Sequence, residues 1–356
     1  MPVEMTSRER VRLAIARKQP DRVPIHDSPW GATVARWRTE GLPLDKTPAD
    51  YFGYEVRNLG GNLTPRLPTQ VLSEDEEYVT ETTAWGGVRR NHKDRSTTPE
   101  IIDTPVKCKD DWPRIKKLLE PDFTRFDWNS ALNNYRKWRG EGRYIVFSSV
   151  SGYDCMQIFI RSEHLLEFMA ADPEWIAEVN MTVARLITAS FDLMWSKGFE
   201  FDALWVYNDM GYRNASLFSP KMYREMIQPG DKLMWGAAHR LGAQAILHSC
   251  GRVSGLIPDL LDSGLDCLQP LEVKAGMDPF AIKKEFGYRL AIFGGIDTRA
   301  IEDPDPAVTE REIKSKLTGL KPGGGYLFHS DHSVPKDVSF ARYCQVMEWV
   351  RKYGAY

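Results

Sequence analysis

Several features that would quickly narrow a protein's role are scarce or missing in this sequence. There are five cysteines in 356 residues, Cys108, Cys155, Cys250, Cys267 and Cys344, odd in number and widely spaced. Disulfide frameworks belong to small secreted domains with dense cysteines, so reduced thiols in a cytoplasmic protein are expected. No apolar run reaches the roughly 18 residues of a membrane-spanning helix. The start, Met1-Pro2-Val3-Glu4, soon turns charged and lacks the apolar stretch of a secretory signal. Lys and Arg (47) nearly balance Asp and Glu (49), for a formal net charge of -2. Nucleic-acid binders usually leave a basic footprint, and this balance gives none. There is also no G-x-G-x-x-G turn of the dinucleotide-binding kind. The expectation is a cytoplasmic protein with a small-molecule ligand and neither a nucleic-acid nor a membrane partner.

What is present is ordinary globular composition, 42% hydrophobic and 27% charged. Thr6 and Glu9 have capping-box spacing, and Val11, Ala14 and Ile15 form an apolar stripe, so a helix starts here and ends before Pro20. Val23 to Asp27 reads as a short first strand. From about 28 to 143 the chain is rich in Trp, Arg, Gly and Pro. Val79 to Trp85 suggests a strand or hairpin there. This stretch reads as an elaboration on a core fold and not as a separate domain.

After Arg143 the pattern becomes regular. Strands are expected at Tyr144–Ser148, Phe201–Tyr207, Gln244–His248, Leu265–Leu268, Leu290–Phe293 and Tyr326–His329. Helices lie between them: one opened by Asp172-Pro173 and closed by Gly198, one from Ser219-Pro220 to Gly242, and two ending at Gly264 and Gly287. A last helix covers Ser339 to Tyr353. Strand-helix alternation implies a parallel sheet with helical crossovers. The fold class is therefore α/β, a (β/α)8 TIM barrel with an elaborated N-terminal region. A barrel takes about 250 residues, which leaves room for the insertion. An open doubly wound sheet is the alternative, but it would want the missing phosphate turn.

Barrel active sites gather at the carboxyl ends of the strands. Those ends read His26-Asp27, Ser148-Ser149, Asn208-Asp209, His248-Ser249-Cys250, Gln269-Pro270-Leu271-Glu272, Gly294-Gly295-Ile296-Asp297 and His329-Ser330-Asp331-His332. Three of the seven histidines, His248, His329 and His332, fall in this set after residue 240. His248 and Cys250 lie two apart at a strand end, so period-two geometry aims both at one face. An imidazole and a thiolate there make a half-site for zinc. A helix starting after Gly251 would lower the thiol pKa. The other reading of the pair is a buried imidazole beside an inert thiol. Asp331 or His332 would supply a third ligand; alternatively Asp331 bonds loop N–H groups. Asp209, Glu272 and Asn208 are candidates for proton handling or ligand orientation, or else helix caps. Tyr153, Asp154 and Cys155 would line a pocket. The eleven Trp suit an apolar or aromatic ligand, although aromatics are more often core.

The run His248-Ser249-Cys250-Gly251, followed by Gly294-Gly295-Ile296-Asp297 and by Gly323-Gly324-Gly325-Tyr326 to Pro335, resembles the uroporphyrinogen decarboxylase superfamily. Arg8-Glu9-Arg10-Val11, Pro20-Asp21-Arg22-Val23-Pro24 and Ser219-Pro220-Lys221-Met222-Tyr223 support it. The likeness is closer to the cobalamin-dependent methyltransferase branch than to the decarboxylases. It implies a (β/α)8 barrel over 1–356 as a single domain, with an insertion at about 28–143. It also implies zinc held by a His-x-Cys pair, here His248 and Cys250, and by a later Cys. Asp331 stands where that later Cys would fall. The decarboxylases carry an arginine-rich stretch for substrate carboxylates after the first strand; Pro29-Trp30-Gly31-Ala32 stands there instead, which argues against porphyrinogen decarboxylation. An oxygen ligand makes a harder zinc site, better suited to an ether oxygen than to a thiol. The expectation is zinc-dependent methyl transfer from a small O-methyl substrate, possibly a methoxyaromatic one, to cobalamin on a separate corrinoid protein. A metal-free lyase and a catalytically silent binding barrel are the alternatives.

Overall fold

Thr6 accepts a hydrogen bond from Glu9 N while Glu9 reaches back to Thr6 N, and this reciprocal cap opens the first helix, Ser7–Ile15. The structure, a computed structural model, describes residues 4–356, so the reading of Met1–Val3 lies outside the described residues. The helix buries Val11, Ala14 and Ile15 against the inward side chains of a parallel sheet. Its Arg10, 2% exposed, pairs with Asp21 and Glu55, which ties the helix to the chain entering the sheet. A buried guanidinium needs that many acceptors to offset its lost hydration.

The strands in chain order are β1 (Val56–Leu59), β2 (Val71–Glu74), β3 (Tyr78–Thr82), β4 (Val88–His92), β5 (Glu100–Asp103), β6 (Tyr144–Val150), β7 (Ala203–Tyr207), β8 (Gln244–His248), β9 (Cys267–Gln269), β10 (Ala291–Phe293) and β11 (Tyr326–Leu327). Seven of them form one parallel sheet in the order β1-β6-β7-β8-β9-β10-β11, with helices in the crossovers. This is the expected α/β class. The strand expected at Val23 to Asp27 does not form, so the regular sheet has seven strands and is not the closed eight-stranded barrel expected. Ile25 bridges Phe328 on one side and accepts from Glu55 N on the other (2.9 Å), so residues 23–26 lie between β11 and the start of β1. Pro24 has no N–H to give a ladder, and a single bridge replaces one.

Inward positions alternate along each strand. Val56, Tyr144, Val146, Ala203, Trp205, Ile246, Cys267, Ala291, Phe293 and Leu327 form one apolar cluster with the first helix. The opposite faces, Phe147, Leu204, Leu247 and Leu268 among them, pack under the helices in a larger cluster. Strands buried on both faces read as continuous hydrophobic runs, which is why they were visible in the sequence.

The elaboration contains a four-stranded antiparallel sheet, β2-β3-β4-β5, broader than the hairpin expected at 79–85. The helix expected from Ser219 to Gly242 is interrupted. It runs as Pro220–Met222, a π-helical turn at Tyr223–Ile227, and Gln228–Arg240. Pro229 cannot donate to the helical ladder, and the chain widens by one residue just before it. All five cysteines are free thiols. Among the described residues no helix is long and apolar enough to cross a membrane.

Candidate metal centre

Tyr207, His248 and Gln269 pair in register across β7, β8 and β9. Each is the last residue of its strand, so the row marks the carboxyl end of the sheet. Asp209 lies two residues beyond β7 and Cys250 two beyond β8. His248 Nε2 is 3.4 Å from Cys250 Sγ and 3.4 Å from Asp209 Oδ1. The three donor atoms all lie within 4.8 Å of one another, and they form the one such group of His, Cys, Asp or Glu found among the described residues. Asp209 Oδ1 also accepts from Cys250 N at 2.6 Å, which holds the two loops together.

Two glycines make that approach possible. Gly251 has φ +74°, and a Cβ there would stand 2.3 Å from the carbonyl carbon of Gly211. A Cβ on Gly211 would in turn stand 2.4 Å from Gly251. Only bare backbone fits, and Cys250 is carried in beside Asp209 as a result.

The electrostatics favour a cation. Burial lowers the His248 pKa, so the ring is a neutral imidazole near pH 7 and has a lone pair to give. The Cys250 thiol is not activated by a helix as expected. Burial pushes its pKa well above the usual range, and the carboxylates Asp209, Glu272 and Asp154 push the same way. The chain after Gly251 forms only a short 3-10 turn, Ser254–Leu256, before its helix at Ile257–Asp262, too far on to help. A thiol crowded by acids ionises when a positive charge arrives between them. Asp154 is itself pushed up to about 7 by burial and by the nearby charge of Asp209.

The other expected residues have distinct places. Asp331 is fully buried and does not join His248 and Cys250. Its Oδ1 accepts from Thr298 N and Thr298 Oγ1, and its Oδ2 from Val273 N, all at 3.0 Å. The carboxylate that approaches the pair is Asp209. His332 and His329 face the same cavity as His248 and Cys250, but neither ring belongs to the close group. Glu272 accepts from Gly251 N (2.7 Å) and lies 3.2 Å from Lys274 Nζ, bracing the turn. Asn208 is fully buried and packs on Gly152, where a Cβ would stand 2.1 Å from its amide nitrogen. Its Oδ1 accepts from Asp154 N at 3.3 Å. Tyr153 and Asp154 line a cleft, whereas Cys155 is buried.

Sequence reasoning did not single out Gln269, whose Oε1 meets His248 Nδ1. Its place at a strand end, one register step from His248, was the available signal. Nor did it pair Asp154 with Asp209, whose backbone N donates to Asp154 Oδ2 at 3.0 Å.

Cys250 and Asp209 stand between two spaces. An inner cavity of about 170 Å³ is walled by Trp30, Trp205, Tyr207, Pro270 and His332, with Thr98 of the insertion reaching its rim. Among the described residues no Lys or Arg lines it. An outer cleft of about 650 Å³ is lined by Tyr212, Arg213, Glu272, Lys274 and Arg299. Asp209, His248 and Cys250 are a donor set of the kind that would hold a borderline-soft ion such as zinc. The observations that fit are the close donor set, the neutral ring and the acid-crowded thiol.

No curated protein matches the chain by sequence. Among solved structures, a methyltransferase from Methanosarcina mazei is similar in fold, with 14% identity, a TM-score of 0.70 and coverage of 98% of this chain and 99% of that one. A glycerophosphoryl diester phosphodiesterase from Parabacteroides distasonis is 10% identical over 96% of this chain and 91% of its own, with a TM-score of 0.38. The sequence profile described as uroporphyrinogen decarboxylase (URO-D) matches residues 151–353, from the loop after β6 into the final helix. That span carries Asp209, His248, Cys250 and Gln269 and covers more than half of the chain, which therefore belongs to the uroporphyrinogen decarboxylase family.

Proposed function

We propose that the protein is a zinc-dependent methyltransferase, moving a methyl group from a small uncharged methyl ether to cobalamin on a separate corrinoid protein. The observation that carries this reading is the meeting of Asp209, His248 and Cys250 at the mouth of an aromatic cavity. These three residues would hold the zinc. When bound, zinc supplies Lewis-acid polarisation of an ether oxygen and stabilises the leaving alkoxide or phenoxide. The likeness in fold to the Methanosarcina mazei methyltransferase agrees with methyl transfer.

The chain's own residues support this choice of substrate. A cavity of roughly 150 Å³ takes a benzene ring, so about 170 Å³ suits one ring or a similar small ether. Trp30, Trp205 and Tyr207 offer flat apolar walls. Without Lys or Arg in its lining, the cavity disfavours a carboxylate or phosphate inside. The wide cleft beside Cys250, lined by Arg213, Lys274 and Arg299, would leave room for a corrinoid protein to approach.

A metal-free lyase acting on carboxylates would want cations in the inner cavity, and a silent binding barrel would not need its polar strand ends to converge. The test is formation of methylcobalamin from cob(I)alamin with a panel of methoxylated compounds, with and without zinc. The proposal predicts zinc-dependent methylation by single-ring or smaller ethers. Turnover unchanged by a chelator, or no transfer from any ether at full zinc loading, would overturn it.

A further inference from the structure

Gln269 and His329 are both almost fully buried, and neither lies among the three donors of the candidate metal centre. Their hydrogen bonds run in one direction. His329 Nδ1 lies 2.5 Å from the carbonyl oxygen of Ser330, which has no proton to give, so Nδ1 carries the hydrogen. Asp27 Oδ1, 3.5 Å from the same nitrogen, is a second acceptor on that side. His329 Nε2 then has a lone pair. It meets two donors, Gln269 Nε2 and Ser28 Oγ, each at 3.3 Å; the same amide nitrogen also lies 3.5 Å from His329 Nδ1, but that nitrogen's hydrogen is taken by the Ser330 carbonyl, so the amide can donate only to Nε2.

The amide of Gln269 is thereby oriented. Its NH2 faces His329, so its Oε1 faces His248 Nδ1. Reversing the amide would set oxygen against the His329 lone pair and NH2 against a ring nitrogen that must then accept. His248 therefore carries its hydrogen on Nδ1. Its Nε2 lone pair is left on the side of Cys250 Sγ and Asp209 Oδ1. The far end of the chain is anchored as well. Asp27 accepts from Ser330 Oγ and Tyr343 Oη at 2.7 Å each, and Tyr54 Oη donates to Tyr343 Oη at 2.9 Å.

We infer that Gln269 and His329 are positioning residues that hold His248 as the Nδ1–H tautomer, with Nε2 free to ligate a cation between Asp209 and Cys250. The geometry is that of a buried polar relay whose direction is set by one backbone carbonyl and transmitted through one amide. Such outer partners of a ligating imidazole typically change metal affinity about 10–100-fold when removed. The inference rests on the reading of His248 as a ligand, but the tautomer is measurable without any metal.

The experiment is long-range 1H–15N NMR on the full chain labelled with 15N-histidine and freed of metal, with His248 assigned by its loss in His248→Gln. Wild type should show a protonated Nδ1 and a bare Nε2 at His248. Gln269→Leu should lose that preference, and Gln269→Glu, which keeps an acceptor at Nδ1, should restore it. In zinc titrations Gln269→Leu should bind about 10–100-fold more weakly than wild type, and Gln269→Glu within a few-fold of it. His329→Phe should weaken binding in the same direction. A proton on Nε2 of His248 in wild type overturns the inference, even if every variant misfolds. So does a folded Gln269→Leu with wild-type tautomer and zinc affinity. A wild type that keeps the tautomer but binds no zinc removes the proposed function and leaves the relay standing.

Discussion

Replacing Asp331 by Asn separates a ligand from a structural tie. The side chain has no exposed surface and receives three donors, two from Thr298 on one oxygen and Val273 N on the other. Asparagine keeps one acceptor. With its oxygen toward Thr298, its NH2 faces Val273 N–H and leaves that buried donor unpaired, at a cost of about 1–3 kcal/mol. The Thr298 bonds also lose their charge assistance, about 1 kcal/mol more. For a chain of this length each kcal/mol moves Tm by about 2 °C or less, so a fall of up to roughly 8 °C is expected. Zinc affinity should stay within about threefold of wild type, because Asp209 and not Asp331 stands beside His248 and Cys250. Differential scanning fluorimetry with a competitive zinc titration measures both quantities. An unchanged Tm with zinc affinity down tenfold or more would refute the reasoning and restore Asp331 as a ligand.

Gly251→Ala forces a Cβ onto a backbone at φ +74° and against Gly211, so Cys250 should be displaced, with stability down by at least about 2 kcal/mol and zinc binding weakened tenfold or more; urea unfolding and zinc titration check this. Asp231 is buried, accepts from Tyr223 Oη at 2.7 Å and has its pKa pushed up to about 7 by burial. A carboxyl whose folded pKa lies above its unfolded value binds more protons when folded, so stability should fall as pH rises from about 4 through 7. Held near 7, well above an ordinary aspartate, the group makes a difference of up to about 4 kcal/mol. Asp231→Asn should flatten that slope in urea titrations from pH 5 to 8, and an unchanged slope would contradict the assignment.

The sequence was most legible where one signal had one meaning. Gln244–His248 was read as a strand to the residue, because an apolar run between Gly242 and Gly251 has few other fates. Asp172 caps the long helix through Trp175 N as its Asp-Pro pattern implied. The two-residue period pointed His248 and Cys250 the same way, but β8 ends at His248 and the close approach of Gly251 to Gly211 carries Cys250 the rest of the way. Legibility failed where one residue type serves two ends. Asp209 and Asp331 are both strand-end aspartates, and only the third dimension puts one beside the imidazole and the other under Thr298. The thiol was misjudged because helix proximity was visible in the sequence while the surrounding acids were not. The insertion gave little, since the side chains of β2 to β5 are half-buried or exposed and do not alternate cleanly.

Zinc stoichiometry with X-ray absorption on the loaded protein tests the metal centre most directly. The account predicts one zinc per chain, with one sulfur at about 2.3 Å and nitrogen or oxygen neighbours at about 2.0–2.2 Å. The sulfur should vanish in Cys250→Ser, and binding should fall in His248→Ala. No zinc in wild type, or a sulfur shell that survives Cys250→Ser, would contradict it.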